Sequence, residues 1–274
     1  AMQTIDMDDH PVQAVRRKTD SSLVVAAKLV RQGKADAFVS AGNTGAAMAA
    51  AFLHMGRIPG IERPAIASPM PARAGETIIL DVGANVDCRP QHLLQFAGMG
   101  YAYMQKVRGI SDPTIGLLNI GTEVSKGNEL TTKTYKLLED SGWNFVGNIE
   151  GREVFSGRAN VIVCDGFVGN IVLKVAEGLA GLVLDTMMEE FASSKVTESV
   201  GLLARSAFQR LKQNLDYTEY GGAPLLGVDG VAIICHGSSD AMAIRNALSV
   251  AEDAVQAGLR DSIAETAIRL GGEK

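Results

Sequence analysis

Asn160-Val-Ile-Val-Cys-Asp-Gly-Phe-Val-Gly-Asn170 reads as a buried strand, a glycine turn and the entry to a helix. The run Asn160 to Cys164 is apolar without alternation, as expected of a strand covered on both faces. The turn Asp165-Gly-Phe-Val-Gly-Asn170 then puts Asn170 at the start of a helical segment, Ile171 to Phe191. The same order recurs at Ser40-Ala-Gly-Asn-Thr-Gly45, Asp81-Val-Gly-Ala-Asn85, Asn119-Ile-Gly-Thr-Glu123 and His236-Gly-Ser-Ser-Asp240. In an open parallel sheet such strand ends share one edge, and ligands bind in the crevice beyond it. All five turns are therefore expected at one edge. There they would form a floor of backbone N–H groups, short hydroxyls and amides that suits an anion.

Outward from these turns the alternation continues. Pro11 opens a short helix, and Asp20 is the expected N-cap of a longer one ending at Gly33. Strand Ala37 to Ser40 precedes an Ala-rich helix, Thr44 to Met55, closed by Gly56. Strands are expected at Ile66 to Ser68, Thr77 to Asp81, Thr114 to Asn119, Phe145 to Asn148 and Val231 to Cys235. Helices are expected from Pro90 to about Val107, Glu129 to Asp140, Ser238 to Ala257 and Asp261 to Leu270. Strands alternating with helices imply crossover units. The expected fold class is α/β: three layers, with a mostly parallel sheet between helices, forming a single domain over residues 1–274.

Composition narrows the function. The 274 residues are 46% hydrophobic and 21% charged, enough to bury a substantial core. A net charge of −5 argues against general nucleic-acid binding, which needs a field of Lys and Arg. Cys88, Cys164 and Cys235 form no C-x-x-C pair, which fits a reducing, cytoplasmic setting. No apolar run is expected to reach the roughly 20 residues that span a bilayer.

Candidate chemistry concentrates in the turns. Gly42, Asn43 and Thr44 stand at a helix start, where unpaired N–H groups attract anions, although Asn and Thr also cap helices for local reasons. No Gly-Lys-Ser/Thr follows, so this is not a P-loop, and the spacing is not a dinucleotide fingerprint. Asp81, Asn85 and Asp87 lack a His at ligand spacing, so neither a metal nor a cofactor is expected. The loop from Asn119 to Glu129 is the densest polar cluster; with Gly121, Lys126 and Asn128 it can hold an ammonium over an anion. Lys174, one turn beyond Asn170, could reach back. His236 is the only histidine at a strand end and the best general-acid candidate.

The segment Lys195 to Leu215 carries an apolar arc of Val196, Val200, Leu203, Ala204, Ala207, Phe208, Leu211 and Leu215, with Arg205, Gln209 and Lys212 opposite. Leu202 falls off the arc. The segment reads either as a surface helix packed on its own subunit or a dimer mate, or as a basic amphipathic helix touching a membrane.

Together, Ser40 to Gly45, Leu80 to Cys88, Asn119 to Glu123, Lys126-Gly-Asn128, Asp165 to Asn170, Tyr220-Gly-Gly222 and His236-Gly resemble the PlsX family of bacterial phosphate acyltransferases, in order along nearly the whole chain. The resemblance implies transfer of a fatty acyl group from acyl carrier protein to inorganic phosphate, with no cofactor. It implies a fold like that of isopropylmalate dehydrogenases and phosphate acetyltransferases, in cytoplasmic homodimers that meet the membrane peripherally. It places Lys126 and Asn170 at the reaction centre, supported by His236, Asn43, Thr44, Asn85, Asn128, Gly42 and Gly121. Membrane or carrier-protein contact falls to a protruding helical insertion at 193–216, with Leu202, Leu203, Arg205, Phe208, Arg210 and Lys212. Family members also begin with a strand and a Met-Gly-Gly-Asp turn ahead of the region that Ala1 to Asp9 resembles, so an N-terminal piece is expected to be lacking. A metal- and nicotinamide-dependent decarboxylating dehydrogenase of the same fold, or a membrane scaffold, remains the alternative reading.

Overall fold

A computed structural model of the chain describes residues 1–192 and 221–271; the expected insertion at 193–216 lies outside them. Eight strands form one sheet: β1 (Ala37–Ser40), β2 (Ala65–Met70), β3 (Thr77–Leu80), β4 (Ile115–Asn119), β5 (Phe145–Glu150), β6 (Val161–Val163), β7 (Ala223–Leu226) and β8 (Val231–Ile234). Their order is β1-β8-β7-β2-β3-β6-β4-β5. The helices are α1 (Pro11–Arg17), α2 (Ser22–Arg31), α3 (Thr44–Ala50), α4 (Pro90–Lys106), α5 (Glu129–Glu139), α6 (Gly166–Ala192), α7 (Ala241–Gln256) and α8 (Leu259–Gly271).

Strand residues alternate between two cores, so the sheet is the middle of three layers. Leu80, Ile78, Ile233 and Val163 face a core with Phe96 and Met99 of α4, Ala251 of α7 and Ile263 of α8. Ile79, Ile162, Ile234 and Ile66 face the other, with Val15 of α1, Val24 of α2 and Ala47 of α3; Leu173 and Ala176 of α6 pack on its margin. Helices therefore cover both faces, as expected.

The sheet itself is mixed. β3, β6, β4 and β5 run parallel, and so do β1 and β8, but β2 and β7 are antiparallel to their neighbours. Only a few residues join β2 to β3 and β7 to β8, too few for the crossover of a dozen or more that a parallel pair requires. β7 is a strand that was not expected between residue 215 and Val231. It nevertheless fills the sheet centre, with Pro224 opposite Ile233.

This topology corrects the single-edge expectation. β1 and β8 run opposite to β3, β4 and β6, so their turns leave in the opposite direction. Ile234 pairs with Ala223, Leu225 with Ile66, and Ala67 with Leu80. The carboxyl ends of β8 and β3 thus stop within about one residue, roughly 3.3 Å, of the same level along the sheet. They approach each other across β7 and β2, and a crevice opens between them.

Three further expectations change. Ser21, not Asp20, caps α2, its hydroxyl accepting from the Val24 N–H, while the Asp20 carboxylate accepts from the Met2 N–H. α6 begins at Gly166, so Asn170 lies one turn inside the helix rather than at its start. α6 is also long and apolar enough to cross a membrane by length and composition, over Gly166–Phe191, contrary to the expectation that no run would be. One such helix is weak evidence for a span.

Candidate active site

The crevice contains a cavity of about 170 Å³ lined by Thr44, Ser68, Asn170, Lys174, Glu177, Cys235, His236 and Ser239, with Ile66, Val82 and Gly222 among the remaining wall residues. The polar groups arrive from separate parts of the fold. Thr44 opens α3 after β1, Ser68 belongs to β2, Asn170 and Lys174 lie on α6 after β6, and His236 and Ser239 follow β8. The opposed strand halves therefore bring together turns that are distant in sequence.

The seat of Asn170 follows from close backbone approach. A Cβ on Gly169 would lie 1.9 Å from the Asp81 carbonyl oxygen, and one on Gly166 would lie 2.7 Å from Asp81 Oδ2. Only glycine lets the first turn of α6 rest on the turn after β3. That turn is organised by Asp81, which is fully buried. Its carboxylate accepts from the N–H groups of Ile66 (3.0 Å), Ala84 (3.1 Å) and Asn85 (2.6 Å) and from Asn85 Nδ2 (2.9 Å). Burial pushes the Asp81 carboxyl up from its ordinary value, against the pull of these donors. Gly83, at φ 132°, lies beside the Asn170 amide, 3.7 Å from where its own Cβ would be. The Asn170 amide has no hydrogen bond among the described residues and is exposed to the crevice.

His236 is fixed by its own turn. Its Nδ1 accepts from the Ser238 N–H at 3.2 Å and lies 2.6 Å from Ser238 Oγ. With Nδ1 as acceptor, the neutral ring carries its hydrogen on Nε2. Lys174 Nζ pairs with Glu177 Oε2 at 2.8 Å, while Glu177 Oε1 is buried without a hydrogen-bond partner among the described residues. Cys235 sits in the wall with its thiol pushed up by burial, so it is no thiolate nucleophile.

The other expected site residues lie elsewhere. Asn43 is engaged locally: its Oδ1 accepts from the Ala46 N–H, and its Nδ2 donates to the carbonyls of Asp6, Met7 and Asp9. Asn85 is held by Asp81 and the Pro64 carbonyl, and Asn128 caps α5 through the Thr131 N–H. Gly42 and Gly121 do not line the cavity, and neither does Lys126. Lys126 is exposed on the loop after β4, whose backbone is pinned by Asn119 Nδ2 to the Lys126 carbonyl and by the Lys126 N–H to the Glu123 carbonyl. β4 neighbours β6 in parallel, so this loop and the Asn170 turn leave the same sheet edge side by side.

Sequence reasoning had passed over Ser68, Glu177 and Ser239. Ser68 belongs to β2, which the expectation of a mostly parallel sheet did not set against its neighbours, and Glu177 is one helical turn beyond Lys174. Among the described residues, no group of three or more His, Cys, Asp or Glu is placed to hold a metal ion.

Over residues 1–261 the chain matches the family described as fatty acid synthesis protein. It belongs to that family. A phosphate acyltransferase of Pelotomaculum thermopropionicum is 56% identical over 263 residues, covering 96% of this chain and 77% of the relative. One of Heliobacterium modesticaldum is 52% identical over 265 residues, covering 97% and 79%. Among solved structures, the EutD phosphotransacetylase of Staphylococcus aureus aligns over 90% of this chain and 74% of its own, with TM-score 0.59 and 20% identity. A phosphotransacetylase of Streptococcus pyogenes covers 95% and 74%, with TM-score 0.54 and 19% identity. At such identities the likeness is one of fold, and it agrees with the mixed, three-layer α/β architecture of this family member.

Proposed function

We propose that this enzyme is a phosphate acyltransferase that moves a long-chain fatty acyl group from the thioester of acyl carrier protein to inorganic phosphate, giving acyl phosphate for phospholipid synthesis. The observation that carries the reading is the convergence of Asn170, Lys174, His236, Thr44 and Ser239 on one cavity. These are donors for an anion and for a developing oxyanion, without an activated nucleophile of the protein's own.

The chemistry balances on that set. An oxygen of HPO₄²⁻ attacks the thioester carbonyl; the C–O bond forms and the carbonyl π pair becomes an oxyanion. Collapse breaks the C–S bond, and the proton carried by the phosphate ends on the departing thiolate. Acyl phosphate and thiol result, so no strong base is needed. Lys174, Thr44 and Ser239 hold the phosphate, with the exposed Lys126 ammonium closing over it from the neighbouring loop. Asn170 and His236 Nε2–H donate to the oxyanion, and the phosphate proton passes to sulfur as the adduct collapses. One such donor is typically worth roughly 2.7 to 4 kcal/mol in the barrier.

Two contacts complete the reading. Ile171, Val175 and Leu182 form an uncovered apolar stripe on α6, which supports a homodimer with a second copy across it. Peripheral membrane and carrier-protein contact rests on the sequence of 195–215 alone.

The test is phosphate-dependent release of free carrier protein from palmitoyl-carrier protein. Asn170→Ala should lower kcat by about 10²–10³ with the fold intact, and Lys126→Ala should also depress transfer strongly. Wild-type turnover in either variant removes that residue from its role, and release that ignores phosphate refutes the reaction.

A further inference from the structure

A second cavity, of about 420 Å³, adjoins the polar one and shares Pro69, Leu173 and Glu177 with it. Its wall is otherwise the β2–β3 turn (Met70, Pro71, Ala72, Arg73), Phe155, and one face of α6 with Ala176, Leu179, Ala180 and Val183. Apart from Arg73 and Glu177 this lining is apolar, and Glu177 is also the member that faces the polar cavity.

We infer that this groove holds the fatty acyl chain of the substrate and that its α6 wall sets the chain length; the inference rests on the transfer reading above. The continuity of the two cavities carries it. For a thioester carbonyl beside Asn170 and His236, an apolar way out among the described residues runs past Leu173 and along α6. At about 100° per residue, Leu173, Ala176, Ala180 and Val183 share one side of the helix, while Ile171, Val175 and Leu182 lie on the opposite side. The groove is thus a different surface from the uncovered stripe.

Length follows from helix geometry. Leu173 to Val183 spans ten residues, or roughly 15 Å at 1.5 Å each. An extended alkyl chain with C–C bonds near 1.5 Å advances roughly 1.3 Å per carbon. About a dozen methylenes therefore fit between the junction and Val183, and about eight between the junction and Ala180. Small side chains at Ala176 and Ala180 leave this path open. Burying one methylene is worth about fourfold in binding, so a block along the path acts selectively on long chains.

The experiment compares octanoyl-, dodecanoyl- and palmitoyl-carrier protein as donors to phosphate. For Ala180→Trp, kcat/KM for palmitoyl relative to octanoyl should fall at least tenfold. For Val183→Trp the loss should begin at longer chains than for Ala180→Trp. That ordering along the helix is not produced by general damage to the fold, which circular dichroism and melting would register separately. Equal effects on all three donors, or no effect, overturn the groove while leaving the transfer reaction standing. If wild type transfers none of the three, the transfer reading itself fails. The groove is then decided by a fluorescent polyene fatty acid, cis-parinaric acid, which should bind wild type and bind Ala180→Trp at least tenfold more weakly. Absence of binding to wild type, or unchanged affinity in the variant, overturns it.

Discussion

Replacing Gly169 by alanine tests the link between backbone packing and catalysis. The added Cβ would sit 1.9 Å from the Asp81 carbonyl oxygen and 2.9 Å from Cys164 Sγ. Real Cβ atoms essentially never approach closer than 3.0 Å, so α6 or the turn after β3 must move by at least about 1.1 Å. The turn cannot yield easily. Asp81 N–H donates to the Cys164 carbonyl at 3.0 Å, the Asp81 carboxylate is held by the donors described above, and the whole residue is buried. The first turn of α6 therefore takes up the shift, and Asn170 is the next residue. Overpacking of this kind costs about 2 kcal/mol, or roughly 4–8 °C in melting temperature for a chain of this size. A displacement near 1 Å at a positioning group costs about 10²-fold in rate. Gly178→Ala on the same helix is the control, because nothing lies within 4 Å of its Cβ position. It should gain up to about 1 kcal/mol from helix propensity and keep its turnover. Thermal melting with phosphate-dependent carrier-protein release reads both variants. A Gly169→Ala protein that melts and turns over like wild type would refute the argument, as would a Gly178→Ala protein equally impaired.

Burial, then the charges of Asp81 and Asp165, push the Cys88 thiol up to about 12, and burial raises Cys164 and Cys235 as well. At pH 8 about one Cys88 in 10⁴ is thiolate, so iodoacetamide should leave native activity intact and label the thiols only after denaturation. Rapid native labelling of Cys88 with loss of turnover would contradict this. If the 195–215 segment meets lipid through its apolar arc, Leu203→Glu should lower flotation with anionic vesicles; flotation equal to wild type would assign the segment elsewhere.

Some of the architecture was legible because local chemistry enforces it. Apolar runs, five of them ending in small-residue turns, located seven of the eight strands described, since a strand buried on both faces shows no polar alternation. Pro11 and Pro90 marked helix starts that the structure keeps. The short connection between β2 and β3 is a sign of an antiparallel pair, yet alternation with helices pointed to a parallel sheet, and β7 was not named. The site was read less evenly. Asn170, Thr44 and His236 meet in one cavity, whereas Asn43, Asn85 and Asn128 serve caps and turns that use the same side chains as anion sites. Nothing in a sequence separates those two uses, because both need a short amide at a helix or turn start.

By itself the sequence determined that strands and helices alternate, that the turns between them carry amides and hydroxyls, and which family pattern those turns follow. These depend on neighbours in the chain. Only the tertiary structure decided that the strand halves run against each other, so that turns more than a hundred residues apart face one crevice. The same arrangement decided that Lys174 lines the polar cavity while Lys126 lies outside it, and that α6 borders an apolar groove adjoining that cavity. Such facts depend on strand register and on pairings between distant segments, which leave no local trace.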